Sequence, residues 1–221
     1  MRLNPSAPYA LHGDADCLMF AGRMDESVAR LRELVTVSPF MAMHNFPLPI
    51  HLYFAGRLDE AIIAAQDFQV RIPHFSIHWV LAWIYWEQGH FDKAIEEERL
   101  ELEWRGDTIL LAALEEGLAA GGPAGAIRAM AEALVARVNE SYVDPISIAE
   151  TFARAGMVDE ALHWLEEAAA HGSFAMTYVA FWPHLDTVRN DPRYQDLLER
   201  VYGERAEEIS RVANTRRSQD Q

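Results

Sequence analysis

The chain has 221 residues, half of them hydrophobic and 24% charged, which excludes intrinsic disorder over the whole length. A formal net charge of −15 disfavours a nucleic-acid partner, because phosphate binding requires a basic face. No stretch approaches the ~20 consecutive apolar residues that a membrane-spanning helix needs. The start of the chain lacks the apolar core of a signal peptide and the sole cysteine is Cys17, so we expect a cytoplasmic protein without disulfides.

Proline and glycine recur along the chain at a nearly constant interval. Pro5, Pro39 and Pro73 are 34 residues apart, and five glycines follow at spacings of 34, 33, 32 and 35: Gly22, Gly56, Gly89, Gly121 and Gly156. A related phrase follows each glycine, as in Gly56-Arg-Leu-Asp-Glu-Ala-Ile62, although it is degenerate after Gly121. A fixed period of this length indicates an array of repeated structural units.

Each unit is predicted to be a pair of antiparallel helices. The glycine ends the first helix, because it adopts a left-handed backbone conformation without steric cost. The acidic residues after it suit the start of the second helix, and the proline ends that helix. A small residue near the start of each second helix allows the pair to approach closely: Ser27, Ala61, Ala94, Ala126 and Ala161.

A 34-residue helix pair with this turn and a terminal proline resembles the tetratricopeptide repeat (TPR). The resemblance implies an all-α, right-handed solenoid of antiparallel helix pairs, a TPR-like superhelix. Five units span residues 1–173, at about 8–41, 42–74, 75–106, 107–141 and 142–173. Residues 174–221 are expected to supply capping helices, at about 174–182 and 192–213, and a polar tail. Residues 2–5 resemble the end of a preceding unit, so the chain begins with a vestigial half-unit or is a fragment of a longer protein.

The residues give little sign of catalysis, and we expect no catalytic residue, metal or cofactor. The acidic run Glu96-Glu97-Glu98, with Glu101 and Glu103, is expected to be a solvated helix face. His74 and His78 are four residues apart but lack the carboxylate of a zinc helix motif. Cys17 is expected to be a small packing residue of the first helix.

First helices line the concave groove in TPR proteins, and that groove usually receives an extended peptide or a helix. The resemblance places ten residues on this surface: Phe46, Ile50, Tyr53, Phe54, Trp79, Trp83, Trp86, Glu115, Glu150 and Arg154. The tryptophans are spaced by four and three residues, so they share one helix face. Family members often carry polar residues there to hold a peptide carboxylate, and this chain departs from that pattern.

These features favour a non-catalytic protein–protein interaction scaffold with an aromatic concave groove. We expect a protein or peptide partner that is apolar at its centre and basic toward one end, and neither nucleic acid nor membrane. A competing interpretation is that the C-terminal helices or a second copy of the chain cover the aromatic face, the latter giving a homo-oligomer. The sequence is also compatible with a regulatory segment of a larger bacterial signalling protein that binds a peptide or small ligand, and with an enzyme of unrecognised type.

Overall fold

The computed structural model describes residues 7–215, which are mostly helical and contain no β-strand. None of the helices in this range is long and apolar enough to cross a membrane. The α-helices are α1 Pro8–Phe20, α2 Met24–Val37, α3 Ala42–Asn45, α4 Pro47–Phe54, α5 Leu58–Arg71, α6 His78–Glu87, α7 Phe91–Arg105, α8 Thr108–Arg137, α9 Pro145–Arg154, α10 Val158–Ala170, α11 Pro192–Tyr202 and α12 Ala206–Thr215. Short 3₁₀ helices occupy Phe174–Phe181, Pro183–Leu185 and Gly203–Arg205.

The described chain divides into two compact units. The first contains residues 7–88 together with 208–215, and the second contains residues 89–207. Pro5 and the half-unit predicted at residues 2–5 lie outside the described residues, as does the polar tail beyond residue 215.

Neighbouring helices pack as pairs within each unit, as the repeat predicts. Helix α1 packs on α2 and α4 on α5 in the first unit, and α9 packs on α10 in the second. Gly22, Gly56 and Gly156 stand at the turns of these pairs with φ of 75°, 74° and 74°. Because L side chains rarely adopt such a φ, glycine is the favoured residue at each turn. The all-helical class and the paired helices are therefore confirmed.

The fourth predicted turn differs from the prediction by one residue. Gly121 is non-helical with φ of −148°, and Gly122 has a positive φ of 64°, so this dipeptide divides α8 into two halves. The halves approach very closely. A Cβ atom added to Gly117 would lie 2.4 Å from the carbonyl oxygen of Gly125 and 2.9 Å from Cα of Ala126, so two glycines join the small residue Ala126 in this contact.

The small residues near the start of each second helix form part of the core, as predicted. Ser27, Ala61, Ala94, Ala126 and Ala161 are all fully buried. A hydrophobic cluster between α1 and α2 contains Leu11, Ala15, Leu31 and Leu34.

Most of the segment that follows α10 packs against the last helix pair, α9 and α10. Helix α11 packs on α10 and on the 3₁₀ helix Phe174–Phe181. The Tyr194 hydroxyl donates to the Val179 carbonyl at 2.9 Å, and buried Arg189 donates to the Ala180 carbonyl at 2.9 Å and the Trp182 carbonyl at 3.1 Å. Residues 208–213 were expected to belong to this same cap. These residues group with the first compact unit, where the Val212 side chain packs against Gly22.

Candidate functional site

The aromatic residues of α6 are the most prominent feature of the predicted binding set. Trp79, Trp83 and Trp86 are each half-buried, so their rings keep some access to solvent. The rings of Trp79 and Trp83 meet edge to face, with centroids 4.7 Å apart and an interplanar angle of 80°. This is a favourable geometry for two aromatic quadrupoles, and it holds the two indoles in a fixed arrangement.

Helix α4 contributes two kinds of side chain. Phe46, just before the helix, and Ile50 are half-buried. Tyr53 and Phe54, by contrast, are 0% and 4% exposed and belong to the core of the first unit. The rings of Tyr53 and Trp83 have centroids 6.3 Å apart and are tilted by 33° to one another. Because buried rings offer no surface to a partner, we leave Tyr53 and Phe54 out of the binding set and name its remainder the aromatic face: Phe46, Ile50, Trp79, Trp83 and Trp86.

The other three predicted residues lie in the second unit. Glu115 is exposed on α8 and forms an ion pair with Arg99, whose Nε lies 2.6 Å from its Oε1. Glu150 and Arg154 are one turn apart on α9, and both side chains are largely buried. A residue that lines a binding groove must be exposed, and only Glu115 among these three meets that requirement.

Glu150 and Arg154 belong to a buried group of charges. Arg154 Nη1 donates to Glu98 Oε1 at 2.6 Å, and the two side chains are 4% and 9% exposed. The carboxylate of Glu150 lies 3.8 Å from Nε2 of His184. Burial raises the pKa of Glu150 to about 8, against the opposing attraction of Arg154. At neutral pH this carboxyl group therefore favours its protonated form.

The solvated face predicted for the acidic run of α7 is wrong at two of its residues. Glu98 and Glu101 are buried, while Glu96 and Glu103 are exposed. A buried carboxylate needs a partner, and Glu98 finds Arg154 at a distance of 56 residues along the chain. Glu101 finds Arg105 one turn away, at 3.0 Å.

A second buried polar group connects α2, α4 and α1. The Ser27 hydroxyl is hydrogen-bonded to the His51 ring, with Oγ 2.8 Å from Nδ1, and His51 Nε2 lies 3.3 Å from Asp16 Oδ1. The order of groups resembles a serine–histidine–aspartate relay. Ser27 is completely buried, however, so its hydroxyl is not open to a substrate. The group ties three helices of the first unit together.

One sign of this second polar group is present in the sequence. Ser27 is the sole polar residue among the five small positions of the repeat, where the others are alanine. A hydroxyl at a buried position implies a hydrogen-bond partner. The partner itself, His51, was not predictable from the local pattern.

The histidine pair and the cysteine are exposed or half-buried. His74 is exposed in the turn after α5, and His78 is half-buried at the start of α6. Within residues 7–215 no three His, Cys, Asp or Glu side chains are arranged to hold a metal ion. Cys17 is exposed on α1, so its prediction as a packing residue is wrong; the buried positions of that part of the helix are Ala15, Leu18 and Met19.

Comparison of the chain with protein-family models and with curated protein sequences gives no match.

Proposed function

We propose that the chain is a non-catalytic interaction module, built as a right-handed TPR-like solenoid, that binds a protein or peptide partner through the aromatic face. Phe46, Ile50, Trp79, Trp83 and Trp86 would form the apolar centre of the contact. The main observation behind the proposal concerns the tryptophans of α6. The rings of Trp79 and Trp83 pack against each other, yet all three indoles remain partly exposed.

The repeat geometry supports the architectural part of the proposal. Left-handed glycines occupy four of the five predicted turns, and fully buried small residues occupy the predicted close contacts. These are the two features that the helix pairs need in order to stack as repeated units. The proposed TPR membership therefore rests on the repeated phrase and on its agreement with the helix boundaries.

The chemistry of large rings supports the binding part. Tryptophan and tyrosine supply most of the energy at the centres of many interfaces, where they are enclosed and water is excluded. Edge-to-face packing also restrains the side chains of Trp79 and Trp83 before binding. The loss of side-chain conformational entropy on binding is therefore smaller. We therefore expect an apolar partner segment, such as one side of a helix or an extended peptide.

The expected basic character of the partner rests on the acidic balance of the chain. Residues 75–173 hold eighteen acidic and six basic side chains, and a field of this sign favours encounter with a basic partner. Among the predicted acidic residues of the binding set, Glu115 is the one whose side chain is exposed.

The test is affinity capture from a native lysate with three baits: the unmodified chain, Trp83→Ala and Trp104→Ala. Trp104 is an exposed tryptophan on α7, so its variant controls for the loss of an indole as such. We expect a specific protein to be recovered with the unmodified chain and Trp104→Ala and to be depleted with Trp83→Ala. Equal recovery with all three baits would contradict the proposal. Recovery of additional copies of this chain alone would indicate that the aromatic face is a homo-oligomer contact.

A further inference from the structure

A cleft of about 560 Å³ opens in the second unit between helix α10 and the loop 138–144, which joins α8 to α9. The loop contributes Glu140, Tyr142 and Val143 to its lining. Helix α10 and the residue that follows its last turn contribute His163, Trp164, Glu167 and His171. None of these residues belongs to the aromatic face or to the buried charges around Arg154.

The cleft contains two aromatic rings with accessible surface. The Tyr142 side chain is on the loop, where the residue is 79% exposed. Trp164 is half-buried on α10, and its ring is packed edge-on against the ring of His163, with centroids 5.3 Å apart. Trp164 therefore lies on a helix and is partly covered, whereas the Tyr142 ring is largely open to a ligand.

The cleft is lined by two carboxylates and two histidines, and Nδ1 of His171 lies 3.8 Å from Oε2 of Glu167. Its lining includes the carboxylates of Glu140 and Glu167 and contains no arginine or lysine. A carboxylate beside an aromatic face attracts an organic cation, because Coulomb attraction and the ring quadrupole act together. The surrounding sequence is itself strongly acidic, which raises the local concentration of cations.

The loop that forms one wall is anchored at both ends. At its start, the backbone N–H groups of Glu140 and Ser141 donate to the Arg137 carbonyl at 2.9 and 3.0 Å. At its end, the Asp144 carboxylate accepts hydrogen bonds from the Ile146 backbone at 3.3 Å and from the Ser173 hydroxyl at 3.1 Å. A wall that is already ordered loses little entropy when a ligand binds.

We propose that this cleft binds the guanidinium group of an arginine side chain presented by a peptide. A guanidinium is flat, stacks on aromatic rings, and donates several N–H groups in a plane that matches carboxylate oxygens. Tyr142 and Trp164 supply the rings, and Glu140 and Glu167 supply the acceptors. A quaternary ammonium is a poorer fit, because it has no N–H to donate to either carboxylate.

The test is an amide NMR titration of the full chain with N-acetyl-arginine methylamide. We expect saturable shifts confined to residues 138–145 and 163–171. The citrulline compound, which has nearly the same shape without the charge, and tetramethylammonium are expected to give no saturable shifts there. The lysine compound is expected to bind more weakly than the arginine compound.

Two variants and a matched control assign the site. Tyr142→Ala is expected to weaken binding of the arginine compound about 2- to 5-fold, the range of an exposed cation–π contact, and Glu167→Gln is expected to weaken it as well. Tyr9→Ala removes an equally exposed tyrosine, 81% accessible, from the first unit and is expected to change nothing. Circular dichroism checks that each variant is folded.

Several results would overturn the guanidinium site. One is an arginine compound that shifts no cleft amide, or that binds Tyr142→Ala and Glu167→Gln as tightly as the unmodified chain. Equal binding of the citrulline compound would show that charge is not recognised. Equal binding of the lysine compound or tetramethylammonium would replace a guanidinium site with a general organic-cation site.

Discussion

Ser27 shows how one side chain departs from the repeat for a physical reason. It occupies a position where Ala61, Ala94 and Ala161 fill the same role, so its methylene satisfies the packing and its hydroxyl adds a hydrogen bond to His51. The hydroxyl is completely buried, and so is most of the His51 ring. The Ser27 hydroxyl and Nδ1 of His51 therefore depend on each other for this hydrogen bond, whereas Nε2 of His51 lies near Asp16.

We expect Ser27→Ala to lower the free energy of unfolding by about 1–3 kcal/mol, because the His51 ring would lose a buried partner while the packing stays suitable for alanine. Thr36→Ala is the control. It removes an exposed hydroxyl that donates to the Arg32 carbonyl and should change stability by less than about 0.5 kcal/mol. Urea denaturation compares the two, and equal effects would show that the Ser27–His51 contact contributes nothing of its own.

Glu150 gives the chain a pH dependence of stability. Burial raises its folded-state pKa to about 8 from an ordinary 4.5, so the folded state holds this proton where the unfolded state has lost it. The stabilising contribution is complete below about pH 4.5, and it is lost as the pH rises from there to about 8. The slope from one group is at most about 1.4 kcal/mol per pH unit.

Glu150→Gln mimics the protonated form and should remove this part of the slope. The measurement is the free energy of unfolding by urea between pH 5 and 8, a range of about three units that lies within the interval between the two pKa values. Glu116→Gln, at an exposed position on α8, should keep the slope of the unmodified chain. A Glu150→Gln slope that matches the unmodified chain would contradict the placement of this carboxyl group in a dry environment.

Among the helices, α8 carries the most demanding contact. Its two halves meet at Gly117 and Gly125, and a Cβ atom on Gly117 would approach the Gly125 carbonyl oxygen to 2.4 Å and the Ala129 Cβ to 2.7 Å. Both neighbours are fixed parts of the second half of α8. A side chain at Gly117 can be accommodated only if the halves move apart.

Gly117→Ala is therefore expected to lower stability by about 1–3 kcal/mol through overpacking. Gly13→Ala is a closely matched control, since Gly13 is also a helical glycine but has no atom within 4 Å of an added Cβ. It should raise stability by about 0.5–1 kcal/mol, because alanine is the better helix former. Thermal denaturation shifts of the same sign for both variants would contradict the close contact in α8.

The helices also show what the sequence could and could not predict. Turn glycines and buried small residues follow from the backbone geometry of a helix pair, and both were predictable from the spacing alone. The turn at Gly121–Gly122 was misplaced by one residue, because either glycine of the pair can adopt the left-handed conformation. The burial of Glu98 was not predicted, because it depends on an ion pair with Arg154, which is 56 residues away along the chain.

At the scale of the whole molecule, the described chain forms two compact units whose division falls at Gly89, the turn glycine of the third predicted pair. The repeat does not predict such a division, because every turn carries the same signal. The predicted binding residues are likewise split: the aromatic ones belong to the first unit and the charged ones to the second. Periodicity identifies the face of a helix, but burial of Tyr53 and Phe54 depends on packing between helices.

The α6 indoles are expected to serve binding more than folding. Trp83 distinguishes the two roles, because its ring lies near both the half-buried Trp79 and the buried Tyr53. If Trp83 is the anchor of the interface, its removal strongly weakens the free energy of association. Because its ring is partly exposed, the same change lowers the free energy of unfolding much less.

The most direct measurement is the melting temperature and the dissociation constant of Trp83→Ala, determined side by side with the captured partner or, for a homo-oligomer, with the chain itself. We expect the free energy of association to weaken by about 2 kcal/mol or more, the scale of an interface hot spot, with a much smaller effect on the free energy of unfolding. A large fall in melting temperature with unchanged association would show that Trp83 is an ordinary core residue and would contradict its role in binding.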